Sequence, residues 1–468
     1  MSTTPRQNRA PFTLGEIAHF TGGELRGDPA RRAVGVCTDT RALWEGAAFV
    51  ALRGENFDAH DFLPQAAGKA VVAVVAKDYE PPAGLDLPLV RVEDPLRALG
   101  ALARAHRERF QIPVGAITGS NGKTTTKELA ASVLEAAFGE TLKTEGNLNN
   151  EIGLPLTLLG LEPHHRAACV EMGMNHPGEI ARLTAIARPR AGLVTCAQAV
   201  HLEGLGSVEA VARAKGELYF GLAEDGVAVV NAEDPRMMAE AARAGRPTFR
   251  FGREGAEVEL GRVLASGPKG IEFEVRIRGG VPRRVRLRLV GLHNVQNACG
   301  AMALGLALGA DEEAVVRGIE AARGAPRRLQ LREAPGGITV LDDSYNANPA
   351  SAVAALAAAR GLAPRRLVAV LGDLLELGAF EREGHEEVGR AAAAEGAELL
   401  VAFGPRASGI ARAAREGGLA AADILETEDV GEALAWLRPR LREGDLVLFK
   451  ASRGMRLERI ADPLVEGA

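Results

Sequence analysis

The sequence has little of several residue classes that mark particular kinds of protein. Aromatic residues make up only 4% of the 468 residues, so its cores must be built mainly from alanine, leucine, valine and isoleucine. The four cysteines form no CxxC pair, which argues against a zinc knuckle or a disulfide framework. The formal net charge is −5, whereas a nucleic-acid binder normally carries a basic face. We therefore expect no nucleic-acid partner.

Long apolar runs are missing as well. No run reaches the roughly 18 residues that would indicate a membrane span. The segment from Met1 to Ala10 lacks the apolar stretch of a signal peptide. These features predict a cytoplasmic protein without a membrane span.

Strand-like and helix-like stretches alternate along most of the chain and predict an α/β protein with three domains. Residues 1–93 are expected to form a small α/β unit. Residues 94–324 are expected to form a central domain around a parallel sheet, and residues 325–468 a Rossmann-like, doubly wound domain. Alternating apolar and basic residues over 271–277 and 284–289 predict a small antiparallel β insert in the central domain.

The most specific motif is G-S-N-G-K-T-T, which follows an apolar strand and precedes a helix. Glycines let backbone N–H groups turn towards a triphosphate, and the helix N-terminus adds positive potential. Lys123 can reach the β- and γ-phosphates, and Thr124 can hold Mg²⁺. The first glycine of the general P-loop pattern would fall at Ile117, so the match is incomplete. The residues predicted to bind ATP or GTP are Gly119, Ser120, Asn121, Gly122, Lys123, Thr124 and Thr125.

The shortened form T-G-x-x-G-K-T-T resembles that of the Mur ligases and of their folylpolyglutamate and cyanophycin relatives. Further segments follow in the order of that family, and the resemblance spans about residues 12–462. The segments D-S-Y-N-A-N-P, G-D-x-x-E-L-G and K-x-S-R-x-M look like the branch that adds D-alanyl-D-alanine. The D-N-P-R segment of the diaminopimelate-adding branch is not found. One departure is Ala451, which replaces a glycine usual in the last motif.

The resemblance implies an ADP-forming amide ligase of peptidoglycan synthesis in bacterial cell-wall biogenesis. Such an enzyme joins D-alanyl-D-alanine to a UDP-N-acetylmuramoyl-tripeptide through an acyl phosphate. It implies two Mg²⁺ ions, held by Thr124, Glu171, His201 and a Lys215 that CO₂ has carbamylated. Carbamylation needs a neutral amine, so burial should lower the pKa of Lys215. Lys123 and Arg328 would stabilise the charge of the transferred phosphoryl group.

The remaining site residues are carried over from the same resemblance, and a monomer is expected. Asn294 and Asn297 would contact the nucleotide base, Arg328 the γ-phosphate, and Asp343 the nucleotide. The UDP-linked precursor would contact domain 1–93 through Thr38, Asp39, Thr40, Arg41, Gly54, Asn56, Asp58 and His60. The reacting peptide end would lie beside Asn147, Asn149 and Asn150. The C-terminal domain would bind the dipeptide and close over ATP, with Tyr345, Asn346, Asn348, Lys450, Ser452 and Arg453 as its binding residues.

Without the resemblance, several of these segments have simpler explanations. Asparagine at a helix start is often a cap, and a lysine on an apolar helix often extends its ammonium group to water. Two other functions are open to a chain with this phosphate loop: a folylpolyglutamate or cyanophycin-type ligase with a different amine acceptor, and a non-catalytic nucleotide switch. The uridine-type segments argue against the first. The absence of a guanine-reading N-K-x-D motif argues against the second.

Overall fold

The computed structural model describes residues 7–54, 57–198 and 205–467. The α-helices of these residues, numbered in chain order, are α1 (Leu14–Thr21), α2 (Leu63–Ala66), α3 (Pro95–Glu108), α4 (Lys123–Phe138), α5 (Gly153–Leu159), α6 (Glu179–Ala187), α7 (Val208–Phe220), α8 (Pro235–Ala244), α9 (His293–Ala307), α10 (Glu312–Ala321), α11 (Pro349–Gly361), α12 (Glu381–Ala394), α13 (Ser408–Glu416), α14 (Val430–Leu437) and α15 (Glu458–Glu466). None of these helices is long and apolar enough to cross a membrane.

The strands of the described residues are β1 (Pro11–Thr13), β2 (Glu24–Arg26), β3 (Arg32–Val34), β4 (Val36–Cys37), β5 (Ala48–Val50), β6 (Val72–Ala76), β7 (Leu89–Val92), β8 (Val114–Thr118), β9 (Thr141–Lys143), β10 (Ala167–Glu171), β11 (Ala191–Val194), β12 (Val227–Asn231), β13 (Thr248–Gly252), β14 (Val258–Gly267), β15 (Gly270–Ile277), β16 (Arg283–Leu287), β17 (Gln330–Ala334), β18 (Ile338–Asp342), β19 (Arg366–Gly372), β20 (Ala397–Phe403), β21 (Ile424–Thr427) and β22 (Asp445–Lys450).

Three larger sheets and one small β1–β3 pair are built from these strands. Their orders are β2-β7-β6-β5-β4, then β16-β15-β14-β13-β12-β11-β8-β10-β9, then β17-β18-β22-β19-β20-β21. Each larger sheet falls within one of the three predicted domain ranges, and parallel pairing dominates, so the α/β prediction is confirmed. The domain boundaries themselves stay a prediction.

The central sheet places the ends of its parallel strands at one edge. Ile117 of β8 pairs with Glu171 of β10 on one side and with Leu193 of β11 on the other. Every residue of β8, β10 and β11 is buried, which explains their continuous apolar runs. Ligands bind outside the carboxyl ends of such strands, and the P-loop and Glu171 lie at those ends.

The predicted antiparallel insert is present, but it is part of the central sheet. β13 pairs parallel with β14 through Phe251 and Val258, and β14 and β15 then continue antiparallel. The apolar positions of β15, such as Phe273 and Val275, are fully buried. Alternation in the sequence reveals that a strand has one buried face, but it does not reveal which strand lies beside it.

The N-terminal unit is joined to the central domain by a shared apolar core. Phe12 and Ile17 belong to the same buried cluster as Leu99 and Leu102 of α3 and Leu158 of α5. Helix α3 begins as the sequence predicts, because the Asp94 side chain accepts N–H groups of the first turn and proline occupies the first helical position. The helix therefore fixes the N-terminal unit against the central sheet.

Candidate active site

A cleft of ≈ 820 Å³ is lined by residues of both the central and the C-terminal domains. It brings together most of the site residues that the sequence predicts, although they come from segments far apart in the chain. Those that line the cleft are Ser120, Asn121, Gly122, Lys123, Thr124, Thr125, Asn147, Asn149, Asn150, Glu171, Asn294, Asn297, Arg328, Asp343, Tyr345, Asn346, Asn348, Lys450 and Arg453.

The P-loop backbone can only be made with glycine at its two turns. Gly119 has φ +146°, and a Cβ there would lie 1.8 Å from the Thr195 hydroxyl oxygen. Gly122 has φ +81°, and a Cβ there would lie 2.5 Å from Asn297 Oδ1. Gly122 also precedes α4 without giving it a side-chain cap, so the first N–H groups of the helix face the cleft without a competing acceptor from the cap residue. This arrangement suits a bound phosphate.

Lys123 extends along the P-loop towards the cleft. Its Nζ donates to the carbonyl oxygens of Gly119 at 2.7 Å and Ser120 at 3.3 Å. Burial lowers the pKa of Lys123, Glu171 opposes that shift, and Arg328 adds to it. Lys123, Glu171 and Arg328 line the same cleft, as phosphoryl transfer would require.

Glu171 ends β10 and is only 2% exposed. Its Oε1 accepts a hydrogen bond from the Asn149 amide at 2.8 Å. Its Oε2 is buried and has no hydrogen-bond partner among the described residues. A buried carboxylate oxygen without a partner is costly. Mg²⁺ prefers hard oxygen ligands, so the donor chemistry of Glu171 fits this ion.

Two residues that the sequence analysis did not single out hold this segment in place. The Thr144 hydroxyl accepts the Glu171 backbone N–H at 2.9 Å, and Lys127 Nζ donates to the Thr144 carbonyl oxygen at 2.6 Å. Both side chains are buried, at 0% and 1% exposure. Lys127 lies one helical turn after Lys123, but nothing in the sequence shows that it faces inward.

Lys215 lies on α7 and is 1% exposed. Burial lowers its pKa well below the ordinary lysine value, and Lys123 lowers it further. Burial therefore shifts Lys215 towards the neutral amine that carbamylation needs. Lys215 is not among the residues that line the cleft. His201 lies outside the described residues.

The two asparagines expected at the nucleotide base have different surroundings. Asn294 is 4% exposed, donates to the Val290 carbonyl at 2.7 Å and accepts from the Asn297 amide at 2.9 Å. Its side chain therefore orients Asn297, which packs against Gly122. Gln296 and Asn231, which are not among the predicted site residues, also line the cleft. Gln296 Nε2 donates a hydrogen bond to Asn231 Oδ1 at 3.0 Å. Asn231 is the last residue of strand β12. Because ligands bind at the carboxyl ends of parallel strands, this position could have identified Asn231 as a candidate site residue.

The C-terminal domain contributes a buried ion pair to the cleft. Lys450 Nζ lies 2.5 Å from Asp343 Oδ2 and 2.9 Å from the Asn346 carbonyl oxygen. Burial lowers the pKa of Lys450, and Asp343 opposes this shift. Arg328 stacks its guanidinium 4.5 Å from the centre of the Tyr345 ring. Its Nε is buried without a hydrogen-bond partner among the described residues.

Ser452 is buried behind the cleft and does not line it. Its hydroxyl donates to the Ala347 carbonyl at 3.2 Å and accepts the Leu375 backbone N–H at 2.9 Å. Ser452 thus joins the segments that carry Asn346 and Leu375. Its predicted contact with the dipeptide amine stays a prediction.

The described N-terminal residues that were expected to bind the UDP-linked precursor do not line the large cleft. Arg41 is bound to Asp39, and His60 to Asp58, in local turns. Thr38 and Asp39 instead line a separate small cavity of about 10 Å³, which Leu156 of α5 also lines. The other residues of this group are Thr40, Gly54, Asp58 and Asn56, and Asn56 lies outside the described residues.

Comparison with known proteins decides the family. A model described as the Mur ligase middle domain matches residues 117–305, and one described as the Mur ligase, glutamate ligase domain matches residues 327–453. The UDP-N-acetylmuramoyl-tripeptide--D-alanyl-D-alanine ligase of Escherichia coli (strain K12) is 38% identical over 459 residues, which cover 97% of this chain and 98% of that protein. The chain belongs to the Mur ligase family. The resemblance that its motifs carry is thereby confirmed.

Other Mur ligases agree with this placement. The protein of the same name from Bacillus subtilis (strain 168) is 35% identical and covers 97% of this chain and 98% of its own length. A crystal structure of MurF from Acinetobacter baumannii has a TM-score of 0.88 at 35% identity and covers 98% of this chain and 100% of that one. The structure of Thermotoga maritima MurF in complex with ADP has a TM-score of 0.80 at 29% identity, covering 92% and 97% of the two chains. These structures confirm the three-domain architecture.

Proposed function

We propose that this Mur ligase joins D-alanyl-D-alanine to a UDP-N-acetylmuramoyl-tripeptide with conversion of ATP to ADP and phosphate, in peptidoglycan precursor synthesis. The observation that carries the proposal is the convergence of the P-loop, Glu171 and the Arg328–Tyr345 pair in one cleft. The chain is also similar over nearly its whole length to ligases of that name. The predicted ligase function thus fits both the geometry and the relatives.

The nucleotide is held by the P-loop and α4. Backbone N–H groups after Gly122 bind the phosphates, and Lys123 exchanges its contacts with the loop carbonyls for the β- and γ-phosphate oxygens. Arg328 approaches the γ-phosphate from the C-terminal domain. Asn297, oriented by Asn294, lies where the rest of the nucleotide would extend.

The metal would be held by Thr124, Glu171, His201 and carbamylated Lys215. Mg²⁺ supplies charge neutralisation and alignment of the reacting oxygens. Among the described residues, the unpartnered Oε2 of Glu171 supports a role as ligand. The buried, deprotonation-prone Lys215 supports carbamylation, which would convert a cationic side chain into an anionic one.

The first chemical step joins the carboxylate of the tripeptide to the γ-phosphorus and breaks the bond to ADP. The substrate carboxylate and the triphosphate are both anionic, so the positive charges of Lys123 and Arg328 reduce their repulsion. Asn147, Asn149 and Asn150 are near the reacting carboxylate, and Asn149 is bound to Glu171.

In the second step the dipeptide amine attacks the acyl carbon, and phosphate leaves as the nitrogen loses a proton. The C-terminal domain provides this acceptor site through Arg453, Tyr345, Asn346 and Lys450, which line the same cleft. Domain closure over the cleft would exclude water, which otherwise hydrolyses an acyl phosphate.

The direct test measures ADP release from Mg-ATP and a UDP-linked tripeptide with a panel of amine acceptors. D-alanyl-D-alanine should support turnover, whereas glutamate and diaminopimelate should not. Turnover with either amino acid and none with the dipeptide would contradict the proposal. Lys123→Met serves as the inactive control.

Carbamylation is tested separately, because a labile carbamate can escape mass measurement. Lys215→Ala should be inactive, and short carboxylates added to the assay should restore part of the activity by replacing the missing carbamate. Failure of every carboxylate to restore ADP release would count against the modified lysine.

Three predictions about the domains accompany this function. The N-terminal range 1–93 would bind the UDP-linked end of the precursor, the range 94–324 would bind ATP, and the range 325–468 would bind the dipeptide. A monomeric state and a cytoplasmic location also stay predictions.

A further inference from the structure

Two asparagines that the sequence assigns to different ligands are bound to each other across the domain interface. Asn348 Nδ2 donates a hydrogen bond to Asn121 Oδ1 at 2.7 Å. Asn121 belongs to the P-loop of the central domain, whereas Asn348 directly precedes α11 in the C-terminal domain. The contact therefore links the nucleotide site of one domain to the main body of the other.

Asn121 presents its amide oxygen in a fixed direction. Its Nδ2 donates to Gln198 Oε1 at 2.6 Å, and its backbone carbonyl accepts the Thr195 hydroxyl at 2.6 Å. Because the Nδ2 group is used on the central-domain side, the oxygen is the part of the amide that faces Asn348. The central domain thus orients the acceptor through contacts of its own.

Asn348 is equally constrained on its own side. Its Oδ1 accepts the Ser351 backbone N–H at 2.9 Å, and its backbone N–H donates to the Ser351 hydroxyl at 3.0 Å. These two bonds form a capping box at the start of α11. The oxygen of the Asn348 amide is committed to the helix cap, so the nitrogen is directed at Asn121.

We propose that Asn348 is a positioning residue that seats the C-terminal domain on the P-loop and so sets Arg328 opposite Lys123. Both partners are oriented before they meet, so the bond forms at little cost in side-chain entropy. Nucleotide binding and domain docking are then coupled, because Asn121 takes part in both. The expected change in kcat rests on the proposed function, whereas the expected change in domain closure does not.

Substitutions at position 348 can separate the cap from the contact. Serine and aspartate are good N-cap residues, so Asn348→Ser and Asn348→Asp keep the cap and remove the N–H donor. Asn348→Ala removes both. Asn348→Asp also turns a negative oxygen towards Asn121 Oδ1 and should weaken docking more than serine does.

The probe is Mg²⁺ with a non-hydrolysable ATP analogue, and domain closure is followed as compaction in small-angle X-ray scattering. Asn348→Ser should keep the thermal midpoint of the wild type and shift the closure equilibrium roughly two- to twelvefold towards the open form, the range expected for one neutral hydrogen bond. The kcat for ligation should fall by a similar factor, with a smaller change in the KM for ATP. In a double-mutant cycle with Asn121→Ala, the second substitution should add almost nothing to the shift in closure.

Three results would overturn the proposal. The first is wild-type compaction and kcat in Asn348→Ser. The second is a loss of kcat that follows the thermal midpoint across the serine, aspartate and alanine variants, which would indicate only a helix cap. The third is additivity of the two asparagine substitutions in closure. If instead no amine acceptor supports turnover, the proposed ligase function fails, and the scattering and cycle measurements still decide the role of Asn348.

Discussion

Valine at position 144 would keep nearly the shape of Thr144 and remove the hydroxyl that accepts the Glu171 backbone N–H at 2.9 Å. Thr144 is 0% exposed and Glu171 2%, so water cannot replace the lost partner without a rearrangement. An unpaired buried N–H costs about 1–3 kcal/mol. For a domain of 150–250 residues this cost lowers the thermal midpoint by about 2–4 °C per kcal/mol.

The effect on catalysis should exceed the effect on stability. Besides its strand pairing, Glu171 is held from its backbone by Thr144 and from its side chain by Asn149, so the substitution removes one of the contacts that fix the proposed metal ligand. A displacement of about 1 Å in an active site can lower the rate roughly 100-fold. Thr144→Val should therefore lower kcat by one to two orders of magnitude, roughly. It should also raise the Mg²⁺ concentration needed for half-maximal ADP release.

The assay measures ADP release over a range of Mg²⁺ concentrations, together with Mn²⁺ binding to the protein–ADP complex by electron paramagnetic resonance. Thr144→Ser restores the hydroxyl and should recover most of the ADP release and most of the Mn²⁺ binding. Wild-type Mg²⁺ dependence in Thr144→Val would refute the reasoning, as would a serine variant as impaired as the valine variant.

Three further predictions concern the glycine turn and the two buried lysines. Gly122→Ala should weaken binding of an ATP analogue about tenfold in calorimetry, because a left-handed conformation costs an alanine about 1–2 kcal/mol. The added Cβ would also lie 2.5 Å from Asn297 Oδ1. An unchanged affinity would contradict the P-loop geometry. Lys215→Met should abolish ADP release and yet raise the free energy of unfolding of the metal-free protein. Burial lowers the Lys215 pKa in the folded chain, so between this lowered pKa and the ordinary lysine pKa only the unfolded chain binds the proton. The free energy of unfolding of the wild type therefore rises with pH in that window. Urea titrations at several pH values should show a smaller rise in the methionine variant, and an equal rise would be evidence against the pKa shift. Lys450→Met leaves Asp343 buried without its cation and should lower the free energy of unfolding in urea by about 3–5 kcal/mol. The double variant Lys450→Met with Asp343→Asn should recover most of this stability but no activity. A double variant as unstable as Lys450→Met would show that the loss of stability has another cause.

Short contiguous segments could be predicted well because their information is local. The P-loop is a strand, a glycine turn and a helix start in one stretch, and the structure has all three where the motif predicts them. The start of α3 follows from Asp94 and Pro95, whose preferences do not depend on distant residues. The family and the α/β fold were likewise predicted from motifs and are confirmed, and similar relatives carry the name of the D-alanyl-D-alanine branch.

The directions of polar side chains could not be predicted in this way. The predicted contact of Asn294 with the nucleotide base stays a prediction, but the sequence does not reveal that its amide donates to Val290 and accepts from Asn297. The predicted contact of Ser452 with the dipeptide also stays a prediction, but the sequence does not reveal that its hydroxyl joins two backbone segments behind the cleft. The sequence shows that a side chain can donate or accept, but the partner comes from another part of the chain.

The sequence by itself determined the chemistry that is available: a phosphate loop, and motifs that supply carboxylate, lysine and amide side chains. Only the tertiary structure decided how these groups are supported. Lys127 and Thr144 became supports of Glu171, and Asn121 met Asn348, because folding buried them beside partners far away in the chain. Burial makes an unpaired polar group costly, so each such group must bond to whatever the fold places next to it, and that neighbour is a property of the whole fold.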